Sequence, residues 1–263
     1  MTAADTWREG LAQWAIPDHI TRTAPNSPHG FSVETFTALA AQALAAPLTP
    51  THRRALEALP EAGNLTDVGC GGGAGSLPLV QHSKVGSVTG VDQSAGMLAA
   101  FAAAAQRLGI AAATVEGEWP AVADQTPVAD VVVCLHVVYN VPELVAFTQA
   151  LTSHARQRVV LEFPTVHPLT WLAPYWRAVH GIQRPDHPTA DDALTVFTDL
   201  GCRTRHERWL RPLSMSSEPV EAQVGFLRQR LALSADSDQR LRSLIAQYGI
   251  PAQREVVTAW WDV

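Results

Sequence analysis

The residues from Leu65 to Gly75 combine one acidic side chain with five closely spaced glycines. They predict a short buried strand and then a glycine-rich turn that opens a helix over residues 76–82. Glycine lets the backbone turn sharply and approach a ligand closely, and the free N–H groups at the start of a helix point towards that ligand. Asp67 lies near the end of the strand, where a carboxylate can meet a cation or an ammonium group.

A second acidic residue, Asp92, ends the next predicted strand, 23 residues after Gly69. An acid at about this distance from a glycine turn is placed to accept hydrogen bonds from ribose hydroxyls. The two acids and the turn therefore indicate a ligand that contains a ribose, bound at the ends of two neighbouring strands.

At these residues the chain resembles the class I S-adenosylmethionine-dependent methyltransferases, whose first motif is an acid followed by glycines at alternate positions. Asp67, Gly69, Gly71 and Gly73 match that motif. Two alternatives remain open: a glycine-rich loop without a ligand, and a nicotinamide or flavin enzyme, because Gly69, Gly71 and Ala74 also fit the looser dinucleotide fingerprint. The acid two residues before the first glycine, and the sixty-odd residues that precede the motif, favour the methyltransferase.

The resemblance implies S-adenosyl-L-methionine as the cofactor and assigns its contacts. Asp92 would hold the ribose, and the segment after the third strand would hold the adenine, with Glu118 at a position where the family usually has Asp or Asn. The glycine loop, Asp67 and the backbone at the end of the fourth strand would hold the methionine part. The predicted cofactor-binding residues are Asp67, Gly69, Cys70, Gly71, Gly73, Asp92, Gln93, Met97, Gly117, Glu118, Trp119, Cys134 and Leu135.

By the same resemblance, the exit of the fourth strand faces the methyl group, so His136 and Tyr139 are the catalytic candidates. His136 could accept a proton from a substrate hydroxyl or amine. The alternative is a histidine that only bonds the backbone at the strand end. Many relatives work by proximity without a base, so the use of a general base stays open.

A substrate pocket is predicted from residues after the fifth strand. Glu162 ends that strand near the same edge of the sheet. There it would accept a hydrogen bond from a substrate amine, or else form an ion pair. Trp171, Tyr175 and Trp176 would wall an apolar pocket over the methyl donor, or else belong to the ordinary core between helix and sheet.

Composition limits the other possibilities. The 263 residues are 47% hydrophobic, which favours a folded domain with a sizeable core over disorder. No run of eighteen apolar residues and no signal sequence is present, so a cytoplasmic protein is expected. The three distant cysteines predict neither a disulfide framework nor structural zinc, and the spacings of His167, His180 and His187 match no compact metal motif, so no metal is expected.

The formal net charge of −6 argues against broad nucleic-acid binding. The chain also lacks the Asn-Pro-Pro-Tyr and Pro-Cys motifs of many nucleic-acid methyltransferases, so a small, partly apolar metabolite is the expected substrate, methylated directly on O, N or C. Lys84 is the single lysine against eighteen arginines, which together with the abundant alanine indicates GC-rich coding and a bacterial source.

Strands and helices alternate after residue 60, which predicts right-handed βαβ units. Short apolar, β-branched runs predict strands at 64–68, 87–92, 112–116, 129–135, 158–163, 202–210 and 255–263. Ser94 is a possible N-cap for a helix over 94–108, and Asn140 with Glu143 forms a capping-box pattern. The expected fold is α/β, a doubly wound, seven-stranded, mostly parallel sheet of the Rossmann-like methyltransferase type, with N-terminal helices and a helical cap.

Three regions follow from this pattern. Residues 1–60 are expected to form an N-terminal helical lid segment, with the proline-rich crossing at 25–31 as its lid or as a plain linker. Residues 61–165 form the cofactor-binding core, and residues 166–263 complete the sheet with helical insertions that cap the substrate. A non-catalytic cofactor-binding protein on the same fold remains an alternative. The methyl acceptor and the oligomeric state are not determined by the sequence.

Overall fold

A computed structural model describes residues 1–30, 32–82 and 84–263. Within those residues several helices begin after a polar N-cap residue or with a proline in the first turn. The α-helices are α1 Ala3–Ala12, α2 Asp18–Thr21, α3 Val33–Ala45, α4 Pro50–Ala58, α5 Leu77–Val80, α6 Ala95–Arg107, α7 Leu144–Ser153, α8 Ala173–His180, α9 Ala190–Asp199, α10 Val220–Arg230 and α11 Asp238–Tyr248.

Seven strands in the described residues form one sheet with the order β3-β2-β1-β4-β5-β7-β6. The strands are β1 Gly63–Val68, β2 Val85–Asp92, β3 Ala111–Glu116, β4 Ala129–Leu135, β5 Ala155–Pro164, β6 Arg205–Pro212 and β7 Gln253–Asp262. Strands β1 to β5 are parallel, and only β7 runs antiparallel, between β5 and β6. The predicted seven-stranded, mostly parallel sheet is confirmed.

The middle of the sheet carries the longest apolar runs because helices cover both of its faces. Val131, Val132 and Val133 in β4 are all at most 1% exposed. One face packs under α4, α5 and α6, and the other under α1, α7 and α9. The carboxyl ends of β1, β2, β4 and β5 therefore meet at one edge, where ligands bind in open α/β sheets.

A separate apolar cluster lies beyond that sheet core, and we call it the cap. It is formed by α8, α10 and α11 with Ile20 of α2. The helices α10 and α11 lie between β6 and β7, so the predicted helical insertion is confirmed. Thr189 and Asp192 form a capping box at the start of α9.

Several predicted boundaries are wrong. The capping box of Asn140 and Glu143 does not form: Asn140 closes a short 3₁₀ turn, and α7 begins at Leu144. The Glu143 carboxylate instead accepts from the Arg8 Nε at 2.7 Å, because α1 packs beside this corner. The helix after the glycine loop covers 77–80 instead of 76–82. The short helix α2, which was not predicted, precedes the proline-rich crossing at 25–31.

Strands β5, β6 and β7 also differ from prediction by one to three residues at their ends. The last residue of the predicted crossing, Phe31, lies outside the described residues. Among the residues that the structure describes, no helix combines the length and apolar character needed to cross a membrane.

Candidate active site

The glycine loop, residues 69–75, is built from backbone conformations that other residues rarely adopt. Gly69, Gly71 and Gly73 have φ of 72°, 49° and 93°. A Cβ on Gly69 would lie 2.3 Å from Val137 Cγ2, and one on Gly73 would lie 2.4 Å from Leu77 Cδ1. Glycine is therefore required for both the turn and the close packing. The N–H groups of Gly69 and Cys70 bond the Val91 carbonyl oxygen, which ties the loop to β2.

Asp92 is located where the sequence placed it, at the end of β2 beside this loop. Its Oδ2 accepts from the Gly71 N–H at 2.9 Å, and its Oδ1 accepts from the Ser94 N–H at 3.0 Å. Each carboxylate oxygen has a second lone pair. The side chain therefore shapes the loop and still has acceptor capacity for the hydroxyls of a ligand.

Asp67 lies under the loop and is only 1% exposed. Its Oδ2 accepts from the Ser76 hydroxyl at 2.6 Å. Burial raises the pKa of Asp67 to about 7, although the Ser76 hydrogen bond acts in the opposite direction and the nearby Asp92 adds to the rise. A cationic neighbour would stabilise the ionised form of the Asp67 carboxylate, because an opposite charge favours that form.

Helix α3 lies directly on the outside of the glycine loop. A Cβ on Gly72 would lie 2.7 Å from the Phe36 carbonyl oxygen, and one on Gly71 would lie 3.0 Å from the Phe36 ring. Helix α3 also contacts α6: a Cβ on Gly96 of α6 would lie 3.1 Å from the Val33 side chain of α3. Neither Gly72 nor Phe36 was a predicted site residue.

The segment after β3 lies where it was predicted, beside Asp92, but some of the predicted adenine contacts are exposed and others are buried. The Gly117 N–H bonds the Asp92 carbonyl oxygen at 3.0 Å, which brings the segment next to the ribose candidate. Glu118 and Gln93 are exposed, while Met97 is 7% exposed on α6. Trp119 is also only 7% exposed and packs edge-on against His154 within the sheet core.

His136, immediately after β4, has the left-handed backbone conformation, with φ of 62°. Its N–H donates to the Glu162 carbonyl oxygen at 2.7 Å, and its Nε2 lies 2.9 Å from Glu162 Oε1. The side chain is 29% exposed, yet both ring nitrogens are shielded from solvent. The Nε2–Oε1 contact is bent away from ideal hydrogen-bond geometry, so we regard it as an electrostatic contact.

Desolvation lowers the pKa of His136, with Arg211 and Arg254 adding to the effect and Glu162 opposing it. The ring is therefore neutral near pH 7. A carboxylate oxygen 2.9 Å from Nε2 favours the proton on that nitrogen. The Nδ1 then has the free lone pair, and it makes no hydrogen bond to any described residue.

Glu162 is fully buried and is the centre of a polar group of side chains that we call the Glu162 cluster. Its Oε1 accepts from Arg211 Nη1 at 2.5 Å, and its Oε2 accepts from the Thr51 hydroxyl at 2.5 Å. Burial would raise the pKa of Glu162, but His136, Arg211 and Thr51 outweigh it and hold that pKa well below its usual range. Glu162 is thus an ionised, positioning group at neutral pH.

Two further cluster members come from regions the sequence did not connect with the site. Thr51 and His52 lie in the first turn of α4, and His52 is 4% exposed. Desolvation lowers the pKa of His52 to about 4, against the effect of Glu162, so its ring is neutral. Helix α4 thereby links the Glu162 cluster to the glycine loop, whose Gly75 and Ala74 carbonyls lie near the His52 ring.

Arg211 and Arg254 complete the Glu162 cluster and were also missed. They are cross-strand neighbours on β6 and β7. The predicted strands ended at Leu210 and began at Glu255, one residue short of each arginine. A signal was present, since a basic residue at the end of each strand would reach the ligand-binding edge, but strand ends are the least certain part of a sequence-based assignment.

The structure separates the two catalytic candidates. Tyr139 belongs to the core on the α1/α7 side, with its ring 5.3 Å from Trp7 and 5.4 Å from His167. Burial raises the pKa of Tyr139 far above its usual range, and its hydroxyl has no partner among the described residues. His136, by contrast, contacts the Glu162 cluster.

The aromatic candidates lie in the cap. Tyr175 and Trp176 are 0% and 3% exposed, and the Tyr175 hydroxyl donates to the Gly249 carbonyl oxygen at 2.7 Å. Trp171 is partly exposed and stacks on Phe226. Tyr175 and Trp176 thus fill the interior of the cap, which leaves Trp171 as the member of this group with free surface.

The histidines considered as metal ligands lie in separate contacts. His167 stacks on Trp14, His180 Nε2 approaches the Leu231 carbonyl oxygen, and His187 Nδ1 pairs with Asp192. In the described parts of the chain, no three His, Cys, Asp or Glu side chains come together as a metal-binding group.

Comparison with solved structures supports the fold. A cyclopropane-fatty-acyl-phospholipid synthase-like protein from Lactobacillus casei is 16% identical, with 94% of this chain and 98% of that chain covered and a TM-score of 0.56. The magnesium protoporphyrin IX methyltransferase from Synechocystis, solved with bound SAH, is 17% identical, with 97% and 94% covered and a TM-score of 0.51.

A putative sarcosine dimethylglycine methyltransferase from Galdieria sulphuraria is 12% identical, with 93% of this chain and 95% of that chain covered and a TM-score of 0.53. No curated protein matches the chain by sequence. Residues 65–158, which include the glycine loop, Asp92 and β4, match the family model of a methyltransferase domain. Residues 65–158 are therefore a methyltransferase domain, and the sheet order is that of the class I fold, so the chain is a methyltransferase whose cofactor is S-adenosyl-L-methionine.

Proposed function

We propose that the chain methylates an O, N or C atom of a small, partly apolar metabolite at the sheet edge where β4 ends. The observation that carries this proposal is the arrangement of His136. Its backbone conformation and the contact with buried Glu162 hold the ring, and Nδ1 is shielded from solvent without a hydrogen-bond partner in the described chain. A neutral imidazole with a free lone pair is suited to accept a proton from a hydroxyl or an amine.

The glycine loop fits the cofactor. The three positive-φ glycines hold the loop backbone close to the ends of β1 and β2. Asp92 would accept from the ribose hydroxyls, and Asp67 would lie near the positively charged methionine part. Gly117, Glu118, Trp119 and Met97 remain the predicted adenine contacts, and Cys134 and Leu135 those of the methionine part.

When bound, the cofactor supplies a methyl group on a positively charged sulfur. The residues of the chain then position the acceptor and remove its proton. In this proposal Nδ1 of His136 takes the proton as the acceptor atom becomes nucleophilic, and the Glu162 carboxylate stabilises the imidazolium that results. Positioning and the exclusion of water supply most of the remaining rate enhancement.

Two regions would enclose the acceptor. Residues 1–60 act as a lid, supported by α3 packing on Gly71 and Gly72. Residues 166–263 complete the sheet and supply the cap, whose own apolar cluster lies beyond the sheet core. An enclosed edge and a net charge of −6 favour a small molecule over a nucleic acid. A cytoplasmic and bacterial setting stays a prediction.

The proposal is tested with methyl-labelled cofactor and three separated cell fractions: small molecules, RNA and protein. Label should enter the small-molecule fraction. His136→Ala should then lower turnover by about a hundredfold to ten-thousandfold with little change in cofactor affinity, because the group acts on the acceptor in the transition state. His19→Ala, at an exposed histidine of α2, is the matched control.

Other results point to the alternatives. Label in RNA or protein would contradict the small-molecule acceptor. Cofactor binding by calorimetry without transfer to any fraction would favour a non-catalytic binding protein. Binding of a nicotinamide dinucleotide in place of the cofactor would favour an oxidoreductase.

A further inference from the structure

Two arginines lie near one buried carboxylate, Glu162, at the proposed acceptor site, and only Arg211 is paired with it. Arg211 lies near the end of β6 and Arg254 near the start of β7, and the two residues face each other across the antiparallel pair. Because β6 runs parallel to β5 and β7 runs antiparallel, both residues lie at the edge where β4 and β5 end. Arg254 acts electrostatically on both Glu162 and His136.

The contacts within the Glu162 cluster are unequal. Glu162 Oε1 is taken by Arg211 and His136, and Oε2 by Thr51. The side chain of Arg254 makes no ion pair and no hydrogen bond to the described residues, and its Nε is shielded from solvent. A guanidinium has five N–H donors and stays charged in proteins. The Arg254 guanidinium therefore has donors that no described residue accepts.

The charges of the side chains in the Glu162 cluster do not balance either. Arg211 and Arg254 contribute two positive charges and Glu162 contributes one negative charge. His136 and His52 are neutral near pH 7, because burial lowers the pKa of both rings. One positive charge is left over in a partly buried place, where an unpaired charge is costly. A carboxylate monoanion would neutralise it and would match the planar fork of the guanidinium in a bidentate pair.

The position of β7 favours the acceptor over the cofactor as the source of this anion. Neighbouring strands lie about 4.8 Å apart, so β7 is roughly 10 Å from β4 and roughly 14 Å from β1. The glycine loop follows β1, whereas His136 follows β4. Arg254 is therefore on the acceptor side of His136.

We propose that the methyl acceptor carries a carboxylate, which Arg254 binds beside His136 while Arg211 remains paired with Glu162. This inference rests on the proposed function and specifies the substrate class of the same site. It also assigns Arg254 a substrate-binding role that the sequence did not reveal.

The test uses the full chain saturated with S-adenosylhomocysteine, the demethylated product, and follows binding of benzoate by calorimetry at constant ionic strength. Benzamide is the neutral probe of the same shape, and inorganic phosphate is the second anion. Benzoate should bind and benzamide should not. Arg254→Met should weaken benzoate binding by roughly tenfold to a hundredfold and leave S-adenosylhomocysteine affinity unchanged.

Arg205→Met is the matched control, because Arg205 lies on the same strand and face as Arg211 but six residues away, at the opposite end of β6. It should leave benzoate binding unchanged. Arg254→Lys keeps the charge without the planar guanidinium and should give an intermediate affinity for benzoate. This second variant keeps the test informative if Arg254→Met does not fold.

Four outcomes overturn the inference. They are equal binding of benzoate and benzamide, no benzoate binding at concentrations in the tens of millimolar, binding of phosphate but not benzoate, and loss of S-adenosylhomocysteine affinity in Arg254→Met, which would assign Arg254 to the cofactor carboxylate. Failure of the parent protein to bind S-adenosylhomocysteine would instead remove the proposed function itself.

Discussion

The glycine loop and the Glu162 cluster lie at the same edge of the sheet but are built in opposite ways. The loop and its two acids come from 26 consecutive residues, from Asp67 to Asp92. The Glu162 cluster joins residues that are spread along the chain from Thr51 to Thr258. The hydroxyls of these two residues lie only 2.7 Å apart. The first is a local motif and the second exists only in the folded chain.

Their electrostatics also differ. Asp67 and Asp92 form an acidic pair in which burial and the neighbouring acid raise the pKa of Asp67. In the Glu162 cluster, two arginines and two neutral histidines lie around a single carboxylate, whose pKa is lowered instead. The comparison shows one region suited to a cationic cofactor and one suited to an anionic partner, separated by the width of a few strands.

The largest expected effect is the loss of stability in Glu162→Gln. Among the described residues, Glu162 is the only carboxylate that accepts from Arg211, so the substitution leaves that charge uncompensated. We expect the free energy of unfolding in urea to fall by about 3–5 kcal/mol, as when one partner of a buried ion pair is removed.

Glu207→Gln is the control for this experiment, because Glu207 pairs with Arg54 but is 35% exposed. An exposed pair of this kind contributes about 0–1 kcal/mol. Equal losses in the two variants would show that burial does not distinguish the Glu162 cluster from the surface.

The second prediction concerns the pH dependence of Asp67→Asn. In the unfolded chain Asp67 loses its proton near its ordinary pKa of 3.8, but in the folded chain only near 7. Folding therefore favours the protonated form, and the unfolding free energy of the parent falls as pH rises from about 4 to about 7. Asparagine removes this dependence, so the variant should gain up to roughly 4 kcal/mol over the parent at pH 8.

Urea unfolding at pH 4 and pH 8 checks the sign, with near-equal stabilities expected at the lower pH. The same variant should bind the cofactor more weakly, since it lacks the negative charge. Parallel pH profiles for parent and variant would mean that Asp67 is not held protonated in the cofactor-free protein.

The third prediction is a loss of cofactor affinity in Asp92→Ala. The variant forfeits charge-assisted hydrogen bonds of roughly 1.5–3 kcal/mol, so the Kd measured by calorimetry should rise about tenfold to over a hundredfold. The structure adds a cause that the sequence did not show: the Gly71 and Ser94 N–H groups lose their acceptor. Asp124→Ala, at an exposed acid, should leave the Kd unchanged.

The smallest predicted effect is on the pKa of His136. Arg254 contributes to lowering it, so Arg254→Met should raise the pKa of the ring, measured by NMR titration. Arg205→Met should leave it unchanged. An unchanged value in Arg254→Met would place Arg254 too far from His136 to bind the group that His136 deprotonates.

Much of the fold was predictable from sequence, because strands buried on both faces must be short apolar runs. The runs ending at Val68, Asp92 and Leu135 were predicted with their final residue correct. The boundaries that were wrong involve polar contacts between distant elements. Glu143 pairs with Arg8 instead of capping α7, and that partner lies 135 residues away.

By itself, the sequence determined the proposed cofactor half of the site, because one tight turn with glycines at positive φ and an acid on each adjoining strand contains the whole arrangement. Tertiary structure decided the proposed acceptor half. Only strand pairing places Arg211 beside Arg254, only the packing of α4 brings Thr51 to Glu162, and only the direction of the chain after β4 separates His136 from Tyr139. These are contacts between residues far apart in the chain, and local sequence patterns contain no information about such neighbours.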